Sequence, residues 1–189
     1  MKLFTMIALL LLIFATSNCA LIGLEEEEED TTDTATAAIP EMEGTWKKSC
    51  YLNDDGGYSE DSLTHSGSEI LLENKMFLDS SCGDVALTMK FTLNEISKGS
   101  ATTLSDGSSG YLYNFKIKSA TLESLLNLMT DSLNSGGVCG KTNWQTNVAQ
   151  DIAGTDCFTG NVGDAGVEKY GISGNSLNLE LFGQTYTKQ

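Results

Sequence analysis

The sequence predicts a mainly β domain of antiparallel strands with one inserted helix. Three stretches carry that expectation. Val85, Leu87, Met89, Phe91 and Leu93 alternate with Ala86, Thr88, Lys90, Thr92 and Asn94, so an extended strand through them has one apolar face. Tyr111, Tyr113, Phe115 and Ile117 repeat the two-residue period against Leu112, Asn114, Lys116 and Lys118. Near the C-terminus, Tyr170 and Ile172 precede Gly174-Asn175, and Leu177, Leu179 and Leu181 follow, which is a hairpin signature because Gly and Asn tolerate φ > 0.

Taken in order, the chain opens with Lys2 and an apolar run from Leu3 to Ala15 broken only by Thr5, followed by Thr16, Ser17, Asn18 and Cys19. The run is shorter than the ~20 residues that span a bilayer, so residues 1–18 read as a signal peptide removed on export. Residues 19–43 contain the acidic run Glu25 to Asp30, a Thr/Ala-rich stretch and the one proline, Pro40, with no apolar period after Leu24. That composition predicts a disordered, self-repelling tether; a calcium-collecting or sorting patch at Glu25 to Asp30 is the sharper alternative. From Gly44 to Gln189 aromatic and alternating apolar residues continue, and the length suits a single domain with one core.

Within that domain weaker strands fall at Thr45 to Tyr51, Ser62 to Leu72 and Lys75 to Asp79. The apolar phase switches from Leu63 and His65 to Ile70 and Leu72, which suggests a β-bulge at Gly67. The two strong strands are expected to form a long hairpin, with the Gly-, Ser- and Asp-rich stretch 97–110 as its solvated connection. Leu122, Leu125, Leu126, Met129 and Leu133 recur at three- and four-residue spacing, which predicts a helix over about 120–134, capped by Thr121 or Ser119 and stopped by Gly136-Gly137.

Composition excludes some function classes. The formal net charge is −15, becoming one unit more negative once Lys2 is removed, and all 11 basic residues are lysines. With no arginine and no basic cluster, neither phosphate neutralisation nor bidentate base reading is available, so no nucleic-acid partner is expected. The sequence has no G-x-S-x-G, H-E-x-x-H or phosphate loop and a single histidine, so no catalysis, metal or cofactor is expected. Apart from Cys19, four cysteines remain in an exported domain and should be oxidised. Of the three connectivities, Cys50 with Cys82 and Cys139 with Cys157 is favoured. Zinc is disfavoured because there is no C-x-x-C pair and only His65 to assist.

Two resemblances add to this. A cysteine directly after an apolar signal segment, preceded by Ser17-Asn18, resembles a bacterial lipoprotein precursor with a relaxed lipobox. That implies diacylation of Cys19, attachment to the lipid bilayer and residence in the cell envelope. Ala20 is not the aspartate associated with inner-membrane retention, so the resemblance favours the outer membrane, on its periplasmic face or the cell surface. Gly44-x-Trp46 at the head of the first strand, in a run of hairpins over 44–189, resembles a lipocalin-like (calycin-type) up-and-down barrel of about eight strands, with a β-sandwich as the alternative. The resemblance implies that Trp46 plugs one end and that the interior can hold a small apolar ligand. The chain departs from that family in lacking an arginine near the end of the barrel, where Lys188 stands, and in carrying its helix between strands.

Candidate ligand contacts are Trp46, His65, Met89, Phe91, Tyr111, Tyr113 and Phe115. His65 shares a strand face with Leu63; it reads as a polar residue in the wall or on the rim, with haem ligation or pH sensing as the alternative. Asn53, Asp54, Asp55, Glu60 and Asp61 surround Gly56-Gly57 in the first hairpin loop, where turn formation competes with calcium binding. The expectation is an envelope-anchored binding module for a small apolar or amphipathic molecule. The alternative is a surface lipoprotein with a filled barrel that serves as a scaffold for protein contacts or adhesion.

Overall fold

The computed structural model describes residues 39–53, 56–180 and 184–189. The signal segment 1–18, Cys19, the run Glu25 to Asp30, Asp54, Asp55 and Leu181 lie outside the described residues. Among those described, a single-turn 3-10 helix at Pro40–Met42 leads into β1 (Gly44–Leu52), β2 (Tyr58–Ser66), β3 (Glu69–Phe77), β4 (Val85–Thr103) and β5 (Ser109–Ser124). Then come α1 (Asn127–Gly136), a short β6 (Gln150–Asp151), β7 (Ala165–Ser173), β8 (Ser176–Leu179) and β9 (Gln184–Lys188).

Eight of the strands close into an antiparallel ring. Successive strands pair from β1 through β5, then β5 with β7, β7 with β8 and β8 with β9. The ring shuts where β9 meets β1, through Trp46 opposite Lys188 and Lys47 opposite Thr187. Closure pairs the first and last strands of the ring with each other. β6 stays outside the ring, on the edge of β5 at Thr121 and Leu122. The barrel with an inserted helix is therefore present, and the sandwich is not.

The long β4–β5 hairpin shapes the barrel. β3 pairs with β4 only between Val85 and Leu93, and β7 pairs with β5 only between Tyr111 and Lys116, so the hairpin crosses the wall diagonally. Register shifts after Thr92, Asn94 and Lys98 let it bend, and Glu95 sits at φ 54° in one of them. Where β5 runs past β7, the insert after α1 supplies the wall. Ile152 N–H donates to the Ala120 carbonyl at 2.9 Å, Gly163 N–H to Ile117 at 2.8 Å, and Ile117 N–H to Asp164 at 2.9 Å.

Several local expectations are corrected. The helix spans Asn127–Gly136 rather than about 120–134, because Ala120, Leu122 and Ser124 continue the inward face of β5 opposite Phe91, Met89 and Leu87. A spacing of four fits a period of two as well as one of 3.6, so Leu122 and Leu126 do not discriminate. The N-cap is Leu126 without a side-chain bond, so Ser119 and Thr121 cap nothing; Gly137, at φ 61°, ends the helix as expected. Gly67 is not a bulge. Ser66 pairs with Glu69, so Gly67 (φ 61°) and Ser68 form a two-residue turn, and the phase switch marks two strands. The connection expected over 97–110 shrinks to Leu104–Ser108, because the polar residues on either side pair as far as Thr103 with Ser109.

Both favoured disulfides are present. Cys50–Cys82 ties β1 to the loop before β4, and Cys139–Cys157 staples the insert after α1. Ile39–Glu43, assigned by sequence to the tether, packs against the barrel instead. Ile39 and Met42 are fully buried, the Trp46 indole N–H donates to the Met42 carbonyl at 2.8 Å, and Gly67 N–H donates to the Glu43 carboxylate at 2.8 Å. Tyr170 donates to Glu41 at 2.8 Å, and Lys98 pairs with the same carboxylate. Three strands, β1, β4 and β7, and the β2–β3 turn thus fasten this segment over the end at which β1 begins.

Candidate functional site

Partners across an antiparallel ladder share a face, so the register identifies the lumen. Trp46, Leu63, Leu72, Phe91 and Ala120 form one inward row, all buried. Lys48, Asp61, Asn74, Met89 and Leu122 form the next, and here Lys48 and Asn74 are partly exposed. The third row, on the other side of the first, holds His65, Ile70, Leu93 and Ile117, with Gly44 opposite His65.

Five of the seven predicted contacts are buried in this interior: Trp46, His65, Met89, Phe91 and Tyr113. Phe115 is partly buried, with Tyr113 at 5.6 Å between ring centroids, and its ring occupies the space over Gly166 on β7. Tyr111 does not join the enclosed wall. It is 40 % exposed, its ring 3.7 Å from the Lys98 ammonium and 5.9 Å from the Tyr170 ring. His65 is fully enclosed, with neither ring nitrogen hydrogen-bonded, and Nδ1 lies 3.9 Å from the Glu43 carboxylate.

The first hairpin loop divides its groups among separate partners. Asn53 Oδ1 accepts from Gly57 N–H at 2.8 Å and Glu60 pairs with Lys47 at 3.2 Å, as turn and surface chemistry would have it. Asp61 instead faces the lumen, accepting from Tyr51 Oη and Asn74 Nδ2, each at 2.6 Å. Among the described residues no three His, Cys, Asp or Glu side chains gather as a metal site would require.

Residues that the sequence did not single out complete the lumen. Phe158, from the insert, stacks on Phe91 at 4.9 Å. Tyr170 approaches Tyr113 edge-on at 6.1 Å, and Tyr186 on β9 is buried opposite Leu177. Glu168 lies directly across from Tyr113. Burial, with the charges of Glu168 and Tyr186 adding to it, pushes the Tyr113 phenol far above its ordinary value, and burial with Asp61 does the same at Tyr186. Both stay neutral hydroxyls at any physiological pH. Burial and the neighbouring Glu180 charge also push the Glu168 carboxyl above the usual carboxylate range, against a hydrogen bond from the Lys169 backbone and the Lys169 charge. The signal for Glu168 is present in β7: tyrosine and glutamate share one phase, valine and lysine the other, and Tyr170 fixes which phase points inward.

The fold and site together define a closed antiparallel barrel with a lumen of mixed polarity. Compared with known protein families and with curated proteins, the sequence matches none.

Proposed function

We propose that this chain is an envelope lipoprotein, held to the outer membrane through acylated Cys19, whose barrel binds a small amphipathic molecule in its lumen. The observation that supports the reading is the mixed chemistry of the inward face. A core built for stability alone is apolar, because each buried polar group must find a partner. Here Lys48, Asp61, Asn74, Tyr113, Glu168 and Tyr186 project inward beside Trp46, Leu63, Phe91 and Met89. Lys48 and Asn74 are partly exposed, so solvent reaches that part of the inward face. An apolar tail suits the first set of residues and a polar head the second.

Native mass spectrometry tests this on the Cys19→Ala chain exported to an oxidising compartment, against the same sample denatured. A discrete excess mass lost on denaturation supports a carrier and gives its cargo class. A bare mass, lower by four hydrogens for two disulfides, would favour the filled barrel and a protein partner. The anchor is tested by the same substitution: Cys19→Ala chain that still partitions with membranes removes lipidation from the reading.

A further inference from the structure

We propose that the head of the ligand is cationic, a protonated amine seated between the Glu168 carboxylate and the hydroxyl of Tyr113, which faces it across the β5–β7 ladder. This rests on the lumen-binding reading above and adds the charge of what is bound.

The first observation is an inverted strand. On β7, Val167 is turned outward and is 55 % exposed, while Glu168 occupies the inward position opposite Tyr113. Burial alone would place them the other way round. The second is the set of partners each enclosed acid has. Glu41 has Lys98 and Tyr170, Glu73 has Lys75 and Lys90, Glu180 has Lys169, and Asp61 has Tyr51 and Asn74. The Glu168 carboxylate takes only a backbone N–H, that of Lys169. The ammonium whose charge reaches Glu168, that of Lys169, is committed to Glu180 at 3.2 Å on the outer face. A half-buried carboxylate without a cation is costly, and a cation that binds there removes the cost.

The third observation is independent of charge. Tyr113, directly across the ladder from Glu168, is 1 % exposed, and among the described residues no side-chain or backbone group hydrogen-bonds its hydroxyl. Buried hydroxyls are ordinarily paired, so an open one across from a carboxylate that has no ion pair points to a group that is not part of the chain. The carboxylate and hydroxyl oxygens all accept, and a primary ammonium offers three N–H donors. A carboxylate head would be repelled by Glu168, and a neutral alcohol would leave it uncompensated. The net charge of −15 favours the approach of cations generally.

The test is calorimetric titration of the Cys19→Ala chain at pH 7 with decylammonium, decan-1-ol and decanoate, repeated on Glu168→Gln and Tyr113→Phe backgrounds. Decylammonium should bind at least about tenfold more tightly than decan-1-ol, with decanoate weakest. Glu168→Gln should abolish that preference, and Tyr113→Phe should reduce it several-fold. Equal affinity for decylammonium and decan-1-ol overturns the cationic head but leaves the lumen reading standing. Binding of none of the three overturns both. A decylammonium preference that survives Glu168→Gln places the cation elsewhere on the acidic molecule and overturns the site.

Discussion

Trp46 and Lys188 are direct cross-strand neighbours at the seam where β1 meets β9, with the Lys188 ammonium 5.1 Å from the centroid of the indole. The indole is 1 % exposed and its N–H is bonded to Met42, so the tryptophan joins the seam, the lumen and the segment Ile39–Glu43. Trp46→Ala should therefore cost about 3–5 kcal/mol in urea unfolding. Lys188 lies exposed at the chain end, and Lys188→Ala should cost under about 1 kcal/mol. Similar losses for the two would show that the seam depends on the cation rather than on packing.

A close backbone approach fixes the tip of the β4–β5 hairpin. A Cβ on Gly110 would stand 2.5 Å from the Tyr170 carbonyl oxygen and 2.7 Å from Leu104 Cδ2. Backbone cannot swing aside as a side chain can, so Gly110→Ala should destabilise by roughly 1–3 kcal/mol. Gly136→Ala is the control. It lies in the last turn of α1, where a Cβ meets only Val138 Cγ2 at 3.5 Å, and it should be neutral or stabilising by up to about 1 kcal/mol. Thermal unfolding of the two variants separates them.

The disulfides differ in what they close. In the chain-entropy account, replacing Cys139 and Cys157 together, 18 residues apart, should cost about 3 kcal/mol. Replacing Cys50 and Cys82, 32 residues apart, should cost slightly more, about 3.7 kcal/mol. The first pair also holds the insert that carries Phe158 against Phe91 and Ile152 against β5. Its loss should expose the Phe91 side of the lumen, read as dye binding that the Cys50, Cys82 double variant does not show.

Where the sequence was legible and where it was not follows from which signals are local. The period of two at Val85–Leu93 and the Gly174-Asn175 turn depend on neighbours in the chain, and both are present in the structure, as is the favoured cysteine pairing between more distant residues. Ala120 to Ser124 were misread because a leucine every fourth residue satisfies both periods, and only pairing with Phe91, Met89 and Leu87 selects the strand. Ile39 and Met42 gave no periodic signal; they are buried by the Trp46, Gly67 and Tyr170 bonds to Met42, Glu43 and Glu41, which join distant parts of the chain. In the lumen, alternation found Met89, Phe91 and Tyr113, and the Gly44-x-Trp46 resemblance found Trp46. It placed Tyr111 with them because period alone does not say where a hairpin leaves the barrel. Glu168 was missed because a carboxylate in an inward position breaks the pattern that alternation relies on.

That carboxylate makes the final prediction one of sign. Burial first, and the Glu180 charge with it, raise the Glu168 carboxyl above its ordinary 4.5. The folded chain therefore holds this proton more tightly than the unfolded chain does, and its contribution to stability falls as pH rises from 4.5 through the raised value. At pH 7 the ionised carboxylate is a net cost. Glu73 behaves in the opposite way: burial works to raise it, but hydrogen bonds from Lys75 and Lys90 outweigh burial and hold it below 4.5. Its contribution is present above 4.5 and is lost as pH falls through the lowered value. Glu168→Gln should accordingly raise the urea midpoint at pH 7, with a gain that shrinks towards nothing below pH 4.5, whereas Glu73→Gln should lower the midpoint at pH 7. An excess of cationic ligand should raise the midpoint of the unsubstituted chain at pH 7 and have little effect on Glu168→Gln, because the cost the ligand removes is already absent. A lower midpoint for Glu168→Gln at pH 7 would mean that the carboxylate has a stabilising partner, and the cationic head would lose its main support.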